Sequence, residues 1–145
     1  NKSVICLDRC DISPQGNSQI EPCDLITIND NTVELIHIKM STRSASLSHL
    51  FNQGVNSLEM LIREEESRIK LKTLLNDSDS KYSNLIDQKK FHVVFGIVTK
   101  KFDVNKDNPS KNLPIFSRIS LSRTIKAIEL MQSRCSVYFI EGIHN

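Results

Sequence analysis

The sequence predicts an α/β domain built on a mixed sheet, with its elements in the order βββα-β-α-β and helices flanking the sheet. Short apolar runs rich in β-branched residues recur along the chain, and amphipathic helical stripes lie between the later runs. No internal repeat or linker divides the 145 residues, a length typical of one domain with its own core. Because the chain begins at Asn1 rather than Met, we expect residues 1–145 to be a single domain from a longer protein.

The first half of the chain predicts three strands followed by a long helix. The strands are predicted at Ser3 to Asp8, Leu25 to Ile28 and Val33 to Met40. The Asn-Asp-Asn turn at 29–31 favours a hairpin, so the third strand should return antiparallel beside the second. A Ser/Thr-rich break then leads into a helix from Leu47 to about Arg63, whose apolar residues recur at helical spacing.

The second half predicts two more strands among helices and a polar loop. Phe91 to Thr99 is nearly continuous in β-branched and aromatic residues, which is typical of a buried strand. Within the long helix of the first half, Gly54 indicates a close approach of backbones, because glycine otherwise weakens a helix. The other predicted segments are helices at Glu64 to Leu75 and at Leu121 to Gln132 with Ser120 as its cap, a short helix or turn at Lys81 to Gln88, a mobile loop at Lys100 to Asn112, and a last strand at Val137 to Ile140.

The residues that suggest chemistry concentrate around the predicted hairpin. Asp24 stands at the start of the second strand, while His37 and Lys39 lie near the end of the third and share one face of the sheet. Antiparallel pairing brings those strand ends together, and Gln53 follows on the next helix with His49, which is either a partner of this site or structural. A carboxylate, an imidazole and a lysine in one place suit metal-assisted hydrolysis of phosphodiesters. For Asp24 alone, a turn or cap role is the alternative.

The candidate metal ligands are Asp24, His37 and Glu21, which precedes Asp24 by three residues. Imidazole prefers softer metals such as Mn²⁺, whereas Mg²⁺ prefers carboxylate oxygens, so the predicted cofactor is Mg²⁺ or Mn²⁺. Glu34 can join this set only through a bulge, because strand alternation puts it on the opposite face from His37. The histidine of the buried strand, His92, is interpreted as structural.

Charge gives a weaker indication of a partner. A net charge of +2 does not by itself indicate a nucleic-acid-binding protein. One stretch is locally basic, however, and either contacts phosphates or is an ordinary solvated surface. Its predicted nucleic-acid-binding residues are Lys100, Lys101, Arg118 and Arg123. No apolar run is long enough for a membrane helix and no signal peptide is evident, so we expect a cytoplasmic protein that does not contact a membrane.

The order of elements and the hairpin residues resemble the core of the PD-(D/E)XK nuclease superfamily. Asp24 stands in the place of the motif Asp, preceded by Cys23 where the motif has Pro, and Lys39 stands in the place of the Lys. His37 occupies the acidic place, and Gln53 matches a Gln found in the following helix of one branch. The resemblance implies a restriction-endonuclease-like fold in which these residues bind Mg²⁺ and set up hydrolysis.

A second resemblance covers most of the chain. Four stretches are similar to the C-terminal region of a larger, sporadically distributed bacterial family, uncharacterised and often encoded near defence or restriction-modification genes. They are Ile20 to Leu25, Leu35 to Lys39, Leu47 to Gly54 and Leu113 to Ser117. This resemblance implies a defence context and no particular reaction.

Together these observations predict a metal-dependent endonuclease domain that hydrolyses nucleic-acid phosphodiesters, with DNA as the expected partner, in defence against phage or foreign DNA. The alternative is a catalytically decayed module of the same fold that serves nucleic-acid binding or protein interaction. The sequence is also compatible with a homo-oligomer.

Overall fold

The computed structural model describes residues 3–40, 43–76, 80–99 and 109–142. Within these ranges the chain forms a five-stranded sheet, four α-helices and one 3₁₀ helix. The strands are β1 (Ile5–Cys6), β2 (Leu25–Asn29), β3 (Thr32–Met40), β4 (Phe91–Thr99) and β5 (Arg134–Glu141). The helices are α1 (Ser44–Arg63), α2 (Glu65–Leu74), α3 (Ser80–Asp87) and α4 (Ile115–Leu130), with the 3₁₀ helix at Pro109–Asn112.

The strands lie side by side in chain order. β1, β2 and β3 form an antiparallel meander, whereas β4 runs parallel to β3 and β5 runs parallel to β4. Parallel neighbours need a crossover connection, which α1, α2 and α3 provide between β3 and β4 and α4 provides between β4 and β5. The predicted α/β class, mixed sheet and element order are therefore confirmed.

One face of the sheet, here called the helix face, is covered by α1. Strand alternation places Val33, Leu35 and His37 of β3 on it, all buried. α1 also packs along α4, and most of its apolar stripe is buried. Burial of such side chains contributes about 25 cal/mol for each Å² of apolar surface removed from water, so this layer dominates the stability of the fold.

Gly54 lies where α1 crosses β4 most closely. A Cβ built on this glycine would lie 2.5 Å from Cε1 and Cζ of Phe95. The ring of Phe95 also meets the ring of Phe51 edge to face, with centroids 5.2 Å apart. The close backbone approach predicted at Gly54 is confirmed, and it explains a glycine in the middle of a helix.

Several predicted boundaries are wrong. α1 begins at Ser44 rather than Leu47, and β5 begins at Arg134 rather than Val137. β1 has only two paired residues rather than the whole of Ser3 to Asp8. The last part of the predicted loop forms the 3₁₀ helix, while residues 100–108 of that loop lie outside the described ranges. α4 begins at Ile115 instead of Leu121, so Ser120 lies inside the helix and does not cap it. The buried stripe of α4 includes Ser117 and Thr124, which a search for apolar residues overlooks.

Candidate functional site

The site lies where β1 ends and β2 begins, beside the second half of β3. The N–H of Leu7 donates to the carbonyl of Asp24 at 2.8 Å, and the N–H of Asp24 donates to the carbonyl of Ile36 at 3.0 Å. The side chain is held as well, because the N–H of Ile38 donates to Oδ2 of Asp24 at 2.6 Å. A hydrogen bond to an ionised carboxylate is short and strong. Asp24 is thus fixed by its backbone and by one carboxylate oxygen.

Three carboxylates converge at this point. Asp8, Glu21 and Asp24 each offer an oxygen, and these oxygens all lie within 4.8 Å of one another. Asp8 is exposed, whereas Glu21 and Asp24 are half-buried. Carboxylate oxygens at this separation match the ligands that Mg²⁺ and Mn²⁺ prefer.

The loop between β1 and β2 positions Glu21. Oδ1 of Asp11 accepts hydrogen bonds from the N–H groups of Ser13 and Ile20, at 2.9 and 3.0 Å. These two bonds and the Ser13 hydroxyl hold the pKa of Asp11 below its usual range. Ile12, which is fully buried, donates its N–H to the carbonyl of Ile20 at 2.9 Å. The loop is therefore anchored immediately before Glu21.

A pocket of about 340 Å³ opens beside the carboxylates. Glu21 and Asp24 form one side of it. α1 forms another side, where His49, Gln53 and Asn56 lie at helical spacing and face the same way. The remaining lining residues are Gln19, Ile20, Cys23 and His37. The pocket thus offers carboxylate, imidazole and amide groups to a ligand.

His37 forms the buried wall of this pocket. Only 3% of its surface is exposed, and its ring packs against Phe95 with centroids 5.8 Å apart. Nε2 lies 3.5 Å from Oγ of Ser57. Burial away from water lowers the pKa of His37 to about 4, so the imidazole is neutral near pH 7. A neutral ring exchanges protons or binds metal, but it supplies no charge.

The structure brings together most of the predicted site residues. Glu21, Asp24, His37 and Gln53 all line the same pocket. Lys39 is exposed on β3 and does not belong to the pocket lining. His37 lies outside the carboxylate cluster, whose ligand atoms come from the three acids alone within the described ranges.

Sequence reasoning missed Asp8, although a signal for it exists. Asp8 is the last residue of the predicted first strand, and Asp24 directly precedes the second. When these two strands pair antiparallel, the end of the first lies beside the start of the second, so Asp8 lies near Asp24. His49, whose role the sequence leaves open, is exposed and lines the pocket. Glu34 points to the opposite face of the sheet, where it contacts His92, as strand alternation predicts.

The predicted basic surface is described only in part. Arg118 and Arg123 are exposed on α4. Lys100 and Lys101 lie outside the described residues.

Comparison with known proteins identifies a family. The model of a family described as a family of unknown function (DUF6119) matches residues 1–141. No curated protein and no solved structure matches the chain. Among the described residues, no helix is both long and apolar enough to cross a membrane.

Proposed function

Since the chain belongs to the DUF6119 family, whose function is unknown, we propose its function from the site alone: metal-dependent hydrolysis of nucleic-acid phosphodiesters. One observation carries this proposal, namely the convergence of Asp8, Glu21 and Asp24 within 4.8 Å at the edge of a polar pocket. Like charges this close repel one another, and a divalent cation between them relieves the repulsion.

The donor set fits a hard divalent cation. Asp8, Glu21 and Asp24 would hold it, all three through carboxylate oxygens, which suit both Mg²⁺ and Mn²⁺. When bound, such an ion acts as a Lewis acid that polarises a phosphoryl oxygen.

The other residues of the site bind the phosphate, orient water and stabilise negative charge. Gln53 and Asn56 present amide groups that hydrogen-bond a phosphate or a water in the pocket. The neutral ring of His37 orients water from the buried wall. We assign to Lys39, which follows His37 on the same face of β3, the stabilisation of negative charge that develops on the phosphate.

The arrangement of strands supports a restriction-endonuclease-like fold. An antiparallel meander followed by a crossover helix and a parallel strand is the arrangement implied by the PD-(D/E)XK resemblance. Asp24 and Lys39 would take the motif places, with Asp8 and Glu21 supplying the negative charge that His37 lacks. The biological role that we propose is cleavage of foreign DNA in a defence context.

The test is cleavage of supercoiled plasmid DNA, with RNA as a parallel substrate, in Mg²⁺, in Mn²⁺ and in EDTA. We expect metal-dependent cleavage that Asp24→Asn and Lys39→Gln abolish. Asp30→Asn and Lys89→Gln are matched controls, because they remove the same charges at turns outside the pocket. Cleavage that persists in Asp24→Asn, or that ignores EDTA, would contradict the proposal.

A second candidate is a decayed module of the same fold that binds nucleic acid without cutting it. It is favoured by His37, a buried neutral ring in the place where the nuclease motif has an acid. Binding of DNA by the wild type in EDTA, with no cleavage in either metal ion, would select this candidate.

A further inference from the structure

A second cluster of reactive side chains lies on the face of the sheet opposite α1, away from the pocket. Glu34, His92 and Ser136 stand on the neighbouring strands β3, β4 and β5. Oγ of Ser136 lies 2.7 Å from Nε2 of His92, and Nδ1 of His92 lies 3.5 Å from Oε1 of Glu34. A serine, an imidazole and a carboxylate thus follow one another in contact.

The cluster is largely withdrawn from water. The side chains of His92 and Glu34 are 10% and 15% exposed. Glu34 is held from its other side, because Nδ2 of Asn29 donates to its Oε1 at 3.0 Å. Desolvation is the main cause that lowers the pKa of His92, assisted by the charge of Arg134 and opposed by Glu34 and Asp30. The imidazole is therefore neutral near pH 7, the state in which it accepts a proton.

Ser136 is the accessible end of the cluster. It is half-buried, and two exposed residues flank it on the same face of β5, Arg134 on one side and Tyr138 on the other. β5 is paired with β4 alone among the described strands, so every second backbone N–H of β5 points outward from the sheet. A backbone N–H group of this kind can donate a hydrogen bond to an oxyanion that forms at the edge of β5.

We propose that Ser136 is a nucleophile toward carboxylic esters, with His92 as its general base and Glu34 as the group that orients His92. In this role Nδ1 of His92 carries the proton and donates to Glu34, leaving Nε2 to accept from the serine. The guanidinium of Arg134 favours an ester that bears a negative charge, and the ring of Tyr138 gives its apolar part a surface to pack on.

The step balances without any oxidant or reductant. Oγ of Ser136 bonds to the acyl carbon while its proton passes to Nε2 of His92, and the bond to the leaving alkoxide breaks as that oxygen takes the proton from His92. Water then attacks the acyl carbon and gives its proton to His92. The carboxylic acid leaves as Oγ of Ser136 recovers a proton.

The test is labelling of the folded chain with a fluorophosphonate probe in EDTA, which keeps any metal-dependent activity out of the result. We expect an adduct that peptide mass mapping locates on Ser136 and that Ser136→Ala removes. Ser122→Ala is the matched control, since this exposed serine lies on α4 and should leave labelling unchanged. His92→Gln should slow labelling by about a hundredfold or more, the contribution of a general base.

Glu34→Gln is the second variant, in case His92→Gln does not fold, and it should slow labelling less than His92→Gln does. Hydrolysis of p-nitrophenyl acetate should follow the same order among the variants. The proposal is overturned if the folded wild type gains no adduct on Ser136, or if labelling of Ser136 proceeds as fast in folded His92→Gln or Glu34→Gln as in the wild type.

Discussion

The backbone N–H of Ile38 donates a hydrogen bond of 2.6 Å to Oδ2 of Asp24, and this bond ties a site carboxylate to the end of β3. One carboxylate oxygen of Asp24 therefore stabilises the fold by accepting this bond. The carboxylate also stands within 4.8 Å of oxygens of Asp8 and Glu21. Asp24 therefore has a structural role beside the metal-binding role proposed for it, and substitutions distinguish the two.

Asp24→Ala should lower the free energy of unfolding by about 2 kcal/mol, because the N–H of Ile38 loses a charge-assisted acceptor. Asp24→Asn keeps an acceptor oxygen and should cost about 1 kcal/mol or less. Urea unfolding in EDTA measures both. Equal losses in the two variants would show that the bond from Ile38 contributes nothing to stability.

Gly54→Ala should destabilise the protein by about 1 to 3 kcal/mol, although alanine is the better helix former by about 1 kcal/mol. The reason is the overlap of the new Cβ with the ring of Phe95, 2.5 Å away. Urea unfolding tests this, with Ala45→Gly near the exposed start of α1 as a comparison for helix propensity alone. Phe95→Leu should make Gly54→Ala less costly, and strict additivity of the two changes would contradict the overlap.

The free energy of unfolding should decrease as the pH falls, because His37 is buried as a neutral ring. Its pKa lies at about 4 in the folded chain against an ordinary 6.5, so the unfolded chain binds more protons between these values. The stabilisation is therefore complete above pH 6.5 and is lost as the pH falls toward 4. The loss due to His37 should reach about 2 kcal/mol by pH 5.

Urea unfolding in EDTA from pH 7 to pH 5 measures this effect. His37→Gln should show a flatter dependence on pH than the wild type over that range. His92→Gln serves as the comparison for the other buried histidine, whose pKa is also lowered. Identical slopes for the wild type and His37→Gln would contradict the burial of a neutral ring at position 37.

If α4 contacts nucleic acid, Arg118→Gln and Arg123→Gln should each weaken binding and reduce the slope of log affinity against log salt by about 1. Fluorescence anisotropy with a DNA duplex at several salt concentrations measures the slope. Arg63→Gln, at the end of α1 and paired with Glu59, is the matched control. A slope that neither α4 variant changes would place the phosphate contacts elsewhere.

The extent of sequence-based prediction differs between the sheet and the site. The hairpin of β2 and β3 and the strand β4 follow from alternation, turn residues and β-branched runs, and their predicted positions are confirmed within one residue. The start of α4 does not follow, since its first turns expose Ile115 and Phe116 and bury a serine. The periodicity of apolar residues therefore places the start of α4 too late, at Leu121.

The site residues that lie on one hairpin are predicted from the sequence, whereas those contributed by segments distant in the chain are missed. Asp24 and His37 belong to one hairpin, so their proximity is a local property. Asp8 joins them only through the pairing of β1 with β2, across a loop that Asp11 and buried Ile12 hold in place. The contact of Glu34, His92 and Ser136 likewise depends on the registers of β3, β4 and β5, which no local pattern specifies.

The most direct test of the proposed site is calorimetric titration of Mn²⁺ and Mg²⁺ into the folded chain. We predict one divalent site in the wild type, weakened by about tenfold or more in Asp8→Asn, Glu21→Gln and Asp24→Asn, and unchanged in Asp30→Asn. Absence of binding by the folded wild type, or equal affinity in all five proteins, would contradict a metal site at Asp8, Glu21 and Asp24.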